Sequence, residues 1–239
     1  MKTPSKVKNT PILSGWATKE FSLDELKNYL EKYNPPILEI SKDFVDGGVS
    51  IKKTYELIKE YKKYHSIVLS YAGTTDFVDC SGLSFEEYIK YLSIQSSQAK
   101  FLSSDFFRVL IGGNRNSSEK VLDRLSLFSK LISPAKILIE IHGGWESSLK
   151  NIKKIVEETD YGFVIDFQNI LESNLSFNKL NSLIPKKRII YYHCRNIDSY
   201  IENEKTLSEE KNWTPNKEDI LWEPKLIKKK KILDLIKWT

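Results

Sequence analysis

A single closed (βα)8 barrel of parallel strands is the fold the sequence predicts, one α/β domain spanning residues 1–239. Three observations predict it. Eight short apolar runs alternate with longer segments whose apolar residues recur at three- and four-residue steps. The runs are spaced by about 25 to 40 residues, the length of one strand plus one crossover helix. The glycine-rich phosphate turn of an open dinucleotide fold is missing, because Gly112-Gly113 lacks a third glycine at the required distance.

Taken in order, the first run is Pro11–Trp16, preceded by an N-terminal extension over residues 1–10. Ser22-Leu-Asp-Glu25 reads as a capping box, in which the serine hydroxyl and the glutamate carboxylate satisfy orphan amides where a helix starts. The second run is Ile37–Ile40. Helical periodicity over Ile51–Tyr64 leads to the third run, Ser66–Tyr71. After the polar loop Ala72–Gly82, a second capping box, Ser84-Phe-Glu-Glu87, opens another helix. The fourth run is Phe106–Ile111, followed by a helix over Ser118–Leu131. The fifth is Ile137–Ile141, with a helix over Ser147–Glu158. Phe163–Phe167 and Ile189–His193 are the sixth and seventh. A polar loop, Asn196–Asp219, then reaches the short eighth run, Ile220–Trp222. Residues 225–239 read as a basic C-terminal helix, with helical spacing over Lys228–Trp238.

Composition excludes several classes. With 40% apolar and 29% charged residues, the chain is neither disordered throughout nor a multi-pass membrane protein. It has no run of about 18 apolar residues, and Met1–Asn9 lacks the apolar centre of a signal peptide, so a cytoplasmic protein is expected. Cys80 and Cys194 are too few for a disulfide framework or a cysteine-rich zinc site. The net charge of +5 equals that of the last fifteen residues, six lysines against one aspartate. The remainder is neutral, which leaves no broad electrostatic footprint for nucleic acid. A small-molecule substrate is the expected partner. The oligomeric state stays open, a homo-oligomer included.

In such a barrel the chemistry lies at the carboxyl ends of the strands. Glu140 ends the fifth run, Asp166 the sixth, His193 the seventh and Glu223 the eighth. Charged groups inside apolar runs are costly unless paired or bound to a metal. Alternation sharpens the geometry, since side chains two apart share a face of the sheet. Glu140 shares a face with His142, Asp166 with Val164 and Gln168, and His193 with Tyr191 and Arg195, while Ile137, Ile139 and Ile141 and then Phe163, Ile165 and Phe167 take the other. The apolar parity suits burial under helices, so the polar parity faces the barrel axis. Three carboxylates and an imidazole converging there make a hard, oxygen-rich site with one nitrogen, suited to Mn²⁺, Mg²⁺ or Co²⁺ and also possible for Zn²⁺. His142, Arg195 and Glu39, which ends the second run, are the expected substrate contacts.

The ordered set of strand-final Glu, Asp, His and Glu resembles the xylose-isomerase-like barrel superfamily of sugar isomerases and epimerases. Lys136-Ile-Leu-Ile-Glu140 through Gly162-Phe-Val-Ile-Asp166 and Tyr192-His193-Cys194-Arg195-Asn196 carry the resemblance, with gaps of 26, 27 and 30 residues between the four positions. The resemblance implies a divalent ion held by Glu140, Asp166, His193 and Glu223. It also implies that Glu140 and Glu223 lie on opposite faces of a sugar, one removing a proton beside the carbonyl and the other returning one. A metal that polarises the carbonyl between flanking carboxylates is sound chemistry in its own right. The sequence departs from the pattern at Asn169, where many members place a histidine three residues after the aspartate. With three histidines in all, the chain lacks the ligands for a trinuclear zinc site. Two other readings stay open: a non-catalytic or altered barrel that binds a small ligand, and a metal-dependent phosphodiester hydrolase of the same superfamily.

Overall fold

A computed structural model describes residues 12–15, 19, 21–46, 48–73, 75–113, 120–173, 175–194 and 220–222. The strands are β1 (Ile12–Leu13), β2 (Ile37–Ser41), β3 (Val68–Ala72), β4 (Phe106–Val109), β5 (Lys136–Ile141), β6 (Gly162–Asp166), β7 (Ile189–Cys194) and β8 (Ile220–Trp222). The helices among the described residues are α1 (Leu23–Tyr33), α2 (Lys42–Asp46), α3 (Ile51–Lys62), α4 (Phe85–Phe101), α5 (Val121–Ile132), α6 (Leu149–Glu158), α7 (Phe167–Glu172) and α8 (Phe177–Leu183). None is long and apolar enough to cross a membrane. The extension over residues 1–10, the helix expected over 225–239, Arg195 and Glu223 lie outside the described residues.

Local chemistry explains why the helices begin where they do. Both expected capping boxes are formed, with Ser22 and Glu25 at the start of α1 and Ser84 and Glu87 at the start of α4. Each helix then buries one face: Leu26, Tyr29 and Leu30 from α1, Val121, Leu125, Phe128 and Ile132 from α5, Ile152 and Ile155 from α6. These faces pack on the outward-pointing residues of the sheet, Ile137, Ile139, Ile141, Phe163 and Ile165 among them, in one continuous core. The parity read from the sequence is the parity of the strands up to Asp166; Phe167 and Gln168, expected to continue the sixth strand's alternation, belong to α7 instead.

All the recorded strand pairings are parallel, and the order is β1-β8-β7-β6-β5-β4-β3-β2. The sheet curls so that its two end strands approach each other. No backbone ladder joins β1 to β2 among the described residues, so the sheet there is a curled parallel one and the full ring expected from the sequence is not shown; the contacts near this edge are made to a β2 side chain and to helix α1. The Gly15 amide donates to Glu39 Oε1 at 2.8 Å, and the Leu13 amide donates to the Tyr29 hydroxyl at 3.0 Å. Gly15 has to be glycine, because a Cβ there would lie 2.8 Å from the Ser41 backbone nitrogen and 3.1 Å from Glu39. Gly15→Ala is expected to cost about 1–3 kcal/mol of stability, the usual penalty for forcing extra volume into a packed site. Urea unfolding of the two proteins measures it, and equal midpoints would show that β1 can move away from β2.

Inside the sheet, alternation stacks two layers. A lower cluster of Ile37, Leu138, Val164 and Tyr191, with Val68, Phe106 and Ile190 against it, makes an apolar floor. Two residues further along β2 to β7 stand Glu39, Ser70, Arg108, Glu140, Asp166 and His193. One irregularity matters to this layer. The β6–β7 register shifts between Phe163 and Val164, which pair with Ile189 and Tyr191 respectively. Ile190 is the extra residue, and without the shift the pairing partners of Val164 and Asp166 would have the opposite parity. The bulge therefore sets His193 opposite Asp166.

Candidate active site

The polar layer at the carboxyl end of the strands is almost wholly buried: Glu39, Asp166 and His193 are 0% exposed and Glu140 is 3% exposed. Such groups are tolerated only when they satisfy one another. Arg108 supplies the compensating charge, with Nε 3.0 Å from Glu39 Oε2 and Nη1 paired with Glu140 Oε2. His193 lies between the same two carboxylates, with Nδ1 3.2 Å from Glu140 Oε1 and Nε2 3.4 Å from Glu39 Oε2. The Tyr191 hydroxyl donates to Glu39 Oε2 at 2.7 Å and lies 2.8 Å from the Ser70 hydroxyl. Burial alone would push the pKa of Glu39 up. Arg108, His193 and the Tyr191 hydrogen bond outweigh it and hold this carboxyl well below the usual carboxylate range. Its ionised form therefore stabilises the fold at neutral pH, and that contribution is lost on acidification. Burial and the neighbouring Glu39 charge push the Tyr191 phenol up, so it stays a neutral donor.

Three of the four expected metal ligands come together. Glu140, Asp166 and His193 each offer a donor atom, and these atoms all lie within 4.8 Å of one another. The fourth, Glu223, is outside the described residues, as is Arg195. Two carboxylate oxygens and an imidazole nitrogen form a donor set that suits a divalent ion. The charge balance agrees, since this layer holds Glu39, Glu140 and Asp166 against the single guanidinium of Arg108. Asp166 also accepts the Asn169 amide at 2.9 Å through Oδ1, which satisfies an orphan donor in the first turn of α7. Asn169 itself is 2% exposed. His142 is half-buried just past the end of β5, two residues beyond Glu140. Glu39, expected as a substrate contact, is fully buried beside Gly15, Tyr191, Arg108 and His193.

Arg108, Tyr191 and Ser70 were not singled out by the sequence reading, and neither was Glu146. This last carboxyl is 1% exposed in the short 3-10 turn Trp145–Ser147, and neither of its oxygens has a hydrogen-bond partner among the described residues. Burial pushes it up to about 7; the backbone groups of Glu146 itself, Gly112, Gly144 and His142 lie close by, without good hydrogen-bond geometry, and offset only part of this. A raised carboxyl destabilises the fold once the unfolded chain ionises, so its contribution worsens from about pH 4.5 to 7 and then levels off. Glu146→Gln is accordingly expected to stabilise the protein by up to about 3 kcal/mol at pH 8 and by almost nothing at pH 4. Thermal unfolding at the two pH values tests it, and a gain independent of pH would show that ionisation is not the cause.

No family model matches the chain, and no curated protein matches it. Solved structures do. A xylose isomerase domain-containing protein of Salmonella typhimurium LT2 aligns over 98% of this chain and 97% of its own, with a TM-score of 0.71 and 12% identity. The IolI protein, solved with a bound zinc atom, aligns over 90% and 88%, with a TM-score of 0.63 and 17% identity. The 3-keto-D-glucoside 4-epimerase of E. coli aligns over 91% and 95%, with a TM-score of 0.61 and 11% identity. At these identities the likeness is one of fold. That fold is the xylose-isomerase-like one, as the strand-final residues suggested.

Proposed function

We propose that this protein is a divalent-metal-dependent isomerase or epimerase of a small sugar-like hydroxy-carbonyl compound. It would work by proton transfer beside the carbonyl at the C-terminal mouth of a closed (βα)8 barrel. The observation that carries the proposal is the convergence of Glu140, Asp166 and His193 on one buried point. The zinc atom of the IolI structure and the sugar chemistry of the E. coli epimerase support it.

In this reading Glu140, Asp166 and His193 hold the ion, with Glu223 as the fourth ligand. Mn²⁺, Mg²⁺ or Co²⁺ fits the donor set best, and Zn²⁺ is the further candidate. The ion, when bound, supplies Lewis-acid polarisation of the substrate carbonyl. Glu140 and Glu223 are the proton-transfer pair, and His142 and Arg195 orient the hydroxyl groups. Whichever nitrogen His193 gives to the ion, its other nitrogen has a carboxylate within 3.4 Å to fix the ring. Glu39 acts through His193 and Arg108 and is a positioning residue.

Elemental analysis of protein purified without chelator tests the metal, with about one divalent ion per chain expected. A ketose and aldose screen with added Mn²⁺ in deuterated water tests the reaction. Deuterium entering the substrate carbon supports proton transfer, whereas turnover without exchange points to hydride shift. No metal and no turnover would favour the small-ligand-binding barrel, a reading that the Arg108–Glu140 pair also accommodates.

A further inference from the structure

Arg108 stands against a carboxylate of the candidate metal-binding triad, Glu140. It lies on β4 with its side chain 11% exposed, and one guanidinium spans the carboxylates of β2 and β5. Both oxygens of Glu140 are therefore engaged, Oε2 by Arg108 and Oε1 by the His193 ring at 3.2 Å. A guanidinium keeps its charge at every accessible pH, and its planar fork holds carboxylates at fixed geometry. A divalent ion arriving at Glu140, Asp166 and His193 meets a tethered cation already paired with one of its ligands. The two cations repel each other, and they share one acceptor. Arg108 nevertheless has a second carboxylate, because Glu39 Oε2 is 3.0 Å from its Nε and is held in place by the Tyr191 hydroxyl.

We infer that Arg108 is a built-in counter-ion that competes with the divalent metal for Glu140, and that Glu39 is the carboxylate to which it retreats, so that this pair sets the metal affinity of the site. Without metal, Arg108 neutralises part of a buried acidic cluster and keeps the protein folded. With metal, Glu140 turns from the guanidinium to the ion and Arg108 stays on Glu39. The inference rests on the metal reading proposed above and adds what controls occupancy.

Opposite signs make it testable by Mn²⁺ titration calorimetry and by the visible spectrum of bound Co²⁺, neither of which needs a substrate. Arg108→Gln removes the competitor and is expected to bind Mn²⁺ at least tenfold more tightly, while the metal-free variant melts at lower temperature. Arg108→Lys keeps a charge on a flexible stem and is expected to stay within about threefold of the parent. Glu39→Gln removes the place of retreat, so Mn²⁺ binding is expected to weaken at least tenfold although Glu39 is not a ligand. Should Arg108→Gln fail to fold without metal, titration of Arg108→Lys against Glu39→Gln still decides the matter. Unchanged or weaker binding in Arg108→Gln, or tighter binding in Glu39→Gln, overturns this inference and leaves the metal reading intact. If neither the parent nor any variant binds a divalent ion, the metal reading itself fails and this inference with it.

Discussion

Glu140→Gln is expected to lower turnover about a thousand-fold at saturating Mn²⁺, the size of effect that removal of a positioned general base produces. The substitution is nearly isosteric and keeps one oxygen that can face a metal. What it removes is the negative charge that accepts a proton and pairs with Arg108. Metal affinity therefore falls too, and the assay has to be run with enough Mn²⁺ to saturate the variant. The fold should survive, because Arg108 keeps its pairing with Glu39 and no buried cation is left without a partner. The expected signature is a loss in kcat with a small change in KM, since a proton-transfer group acts mainly in the transition state. A loss confined to KM would make Glu140 a binding residue, and proton transfer would have to be sought elsewhere. Under the proton-transfer reading, Glu223→Gln has the same signature; a silent Glu223→Gln would leave the site with three protein ligands and a single acid/base group.

Much of this site was legible because strands alternate. Glu140, Asp166 and His193 each follow an apolar run, and their parity alone put them on one face of the sheet, where their donor atoms lie within 4.8 Å of one another. The strand spans were legible for the same reason: Ile37–Ile40 became Ile37–Ser41 and Phe163–Phe167 became Gly162–Asp166, shifts of one residue at an end. Arg108 could have been found by the same rule, since it is a charged residue in the run Phe106–Ile111 and shares the parity of Phe106. A search framed around metal donors passes over a cation. Glu39 was recognised as a strand-end acid, but its partners come from β4 and β7 and from the segment after β1. Sequence order gives no measure of such encounters.

Other features depend on close tertiary approach and leave little trace in a pattern. Glu146 is buried because Gly112 and Gly144 come close together; a Cβ on Gly144 would lie 2.9 Å from the Gly112 carbonyl oxygen. In sequence it is one acid in a turn beginning Gly143-Gly144. The register shift at Phe163/Val164 is likewise a property of the pairing of two strands and cannot be read from either alone. β1 is two residues long, so the way the sheet's ends meet rests on Gly15 and Glu39 more than on any apolar run.

Asp166→Ala is expected to abolish the stabilisation that metal gives the protein while leaving the metal-free fold nearly as stable as before. Two effects oppose each other in the metal-free state. Removing a fully buried carboxylate relieves its repulsion with Glu140, its neighbour in the triad. It also strips the Asn169 amide of its acceptor at the start of α7, a cap worth about 1 kcal/mol. The net change in melting temperature without metal is therefore small. With metal the two proteins diverge, because an ion that binds only the folded state adds RT ln(1 + [M]/Kd), about 2.7 kcal/mol at a hundred times Kd. The parent should melt progressively higher as Mn²⁺ is added, and Asp166→Ala should not respond. Asp166→Asn separates the two roles: it keeps an oxygen to accept from Asn169 but lacks the charge, so the cap survives and most of the metal response is lost. If Asp166→Ala unfolds on its own while Asp166→Asn keeps the full response to Mn²⁺, Asp166 is a helix cap and the ion is held without it.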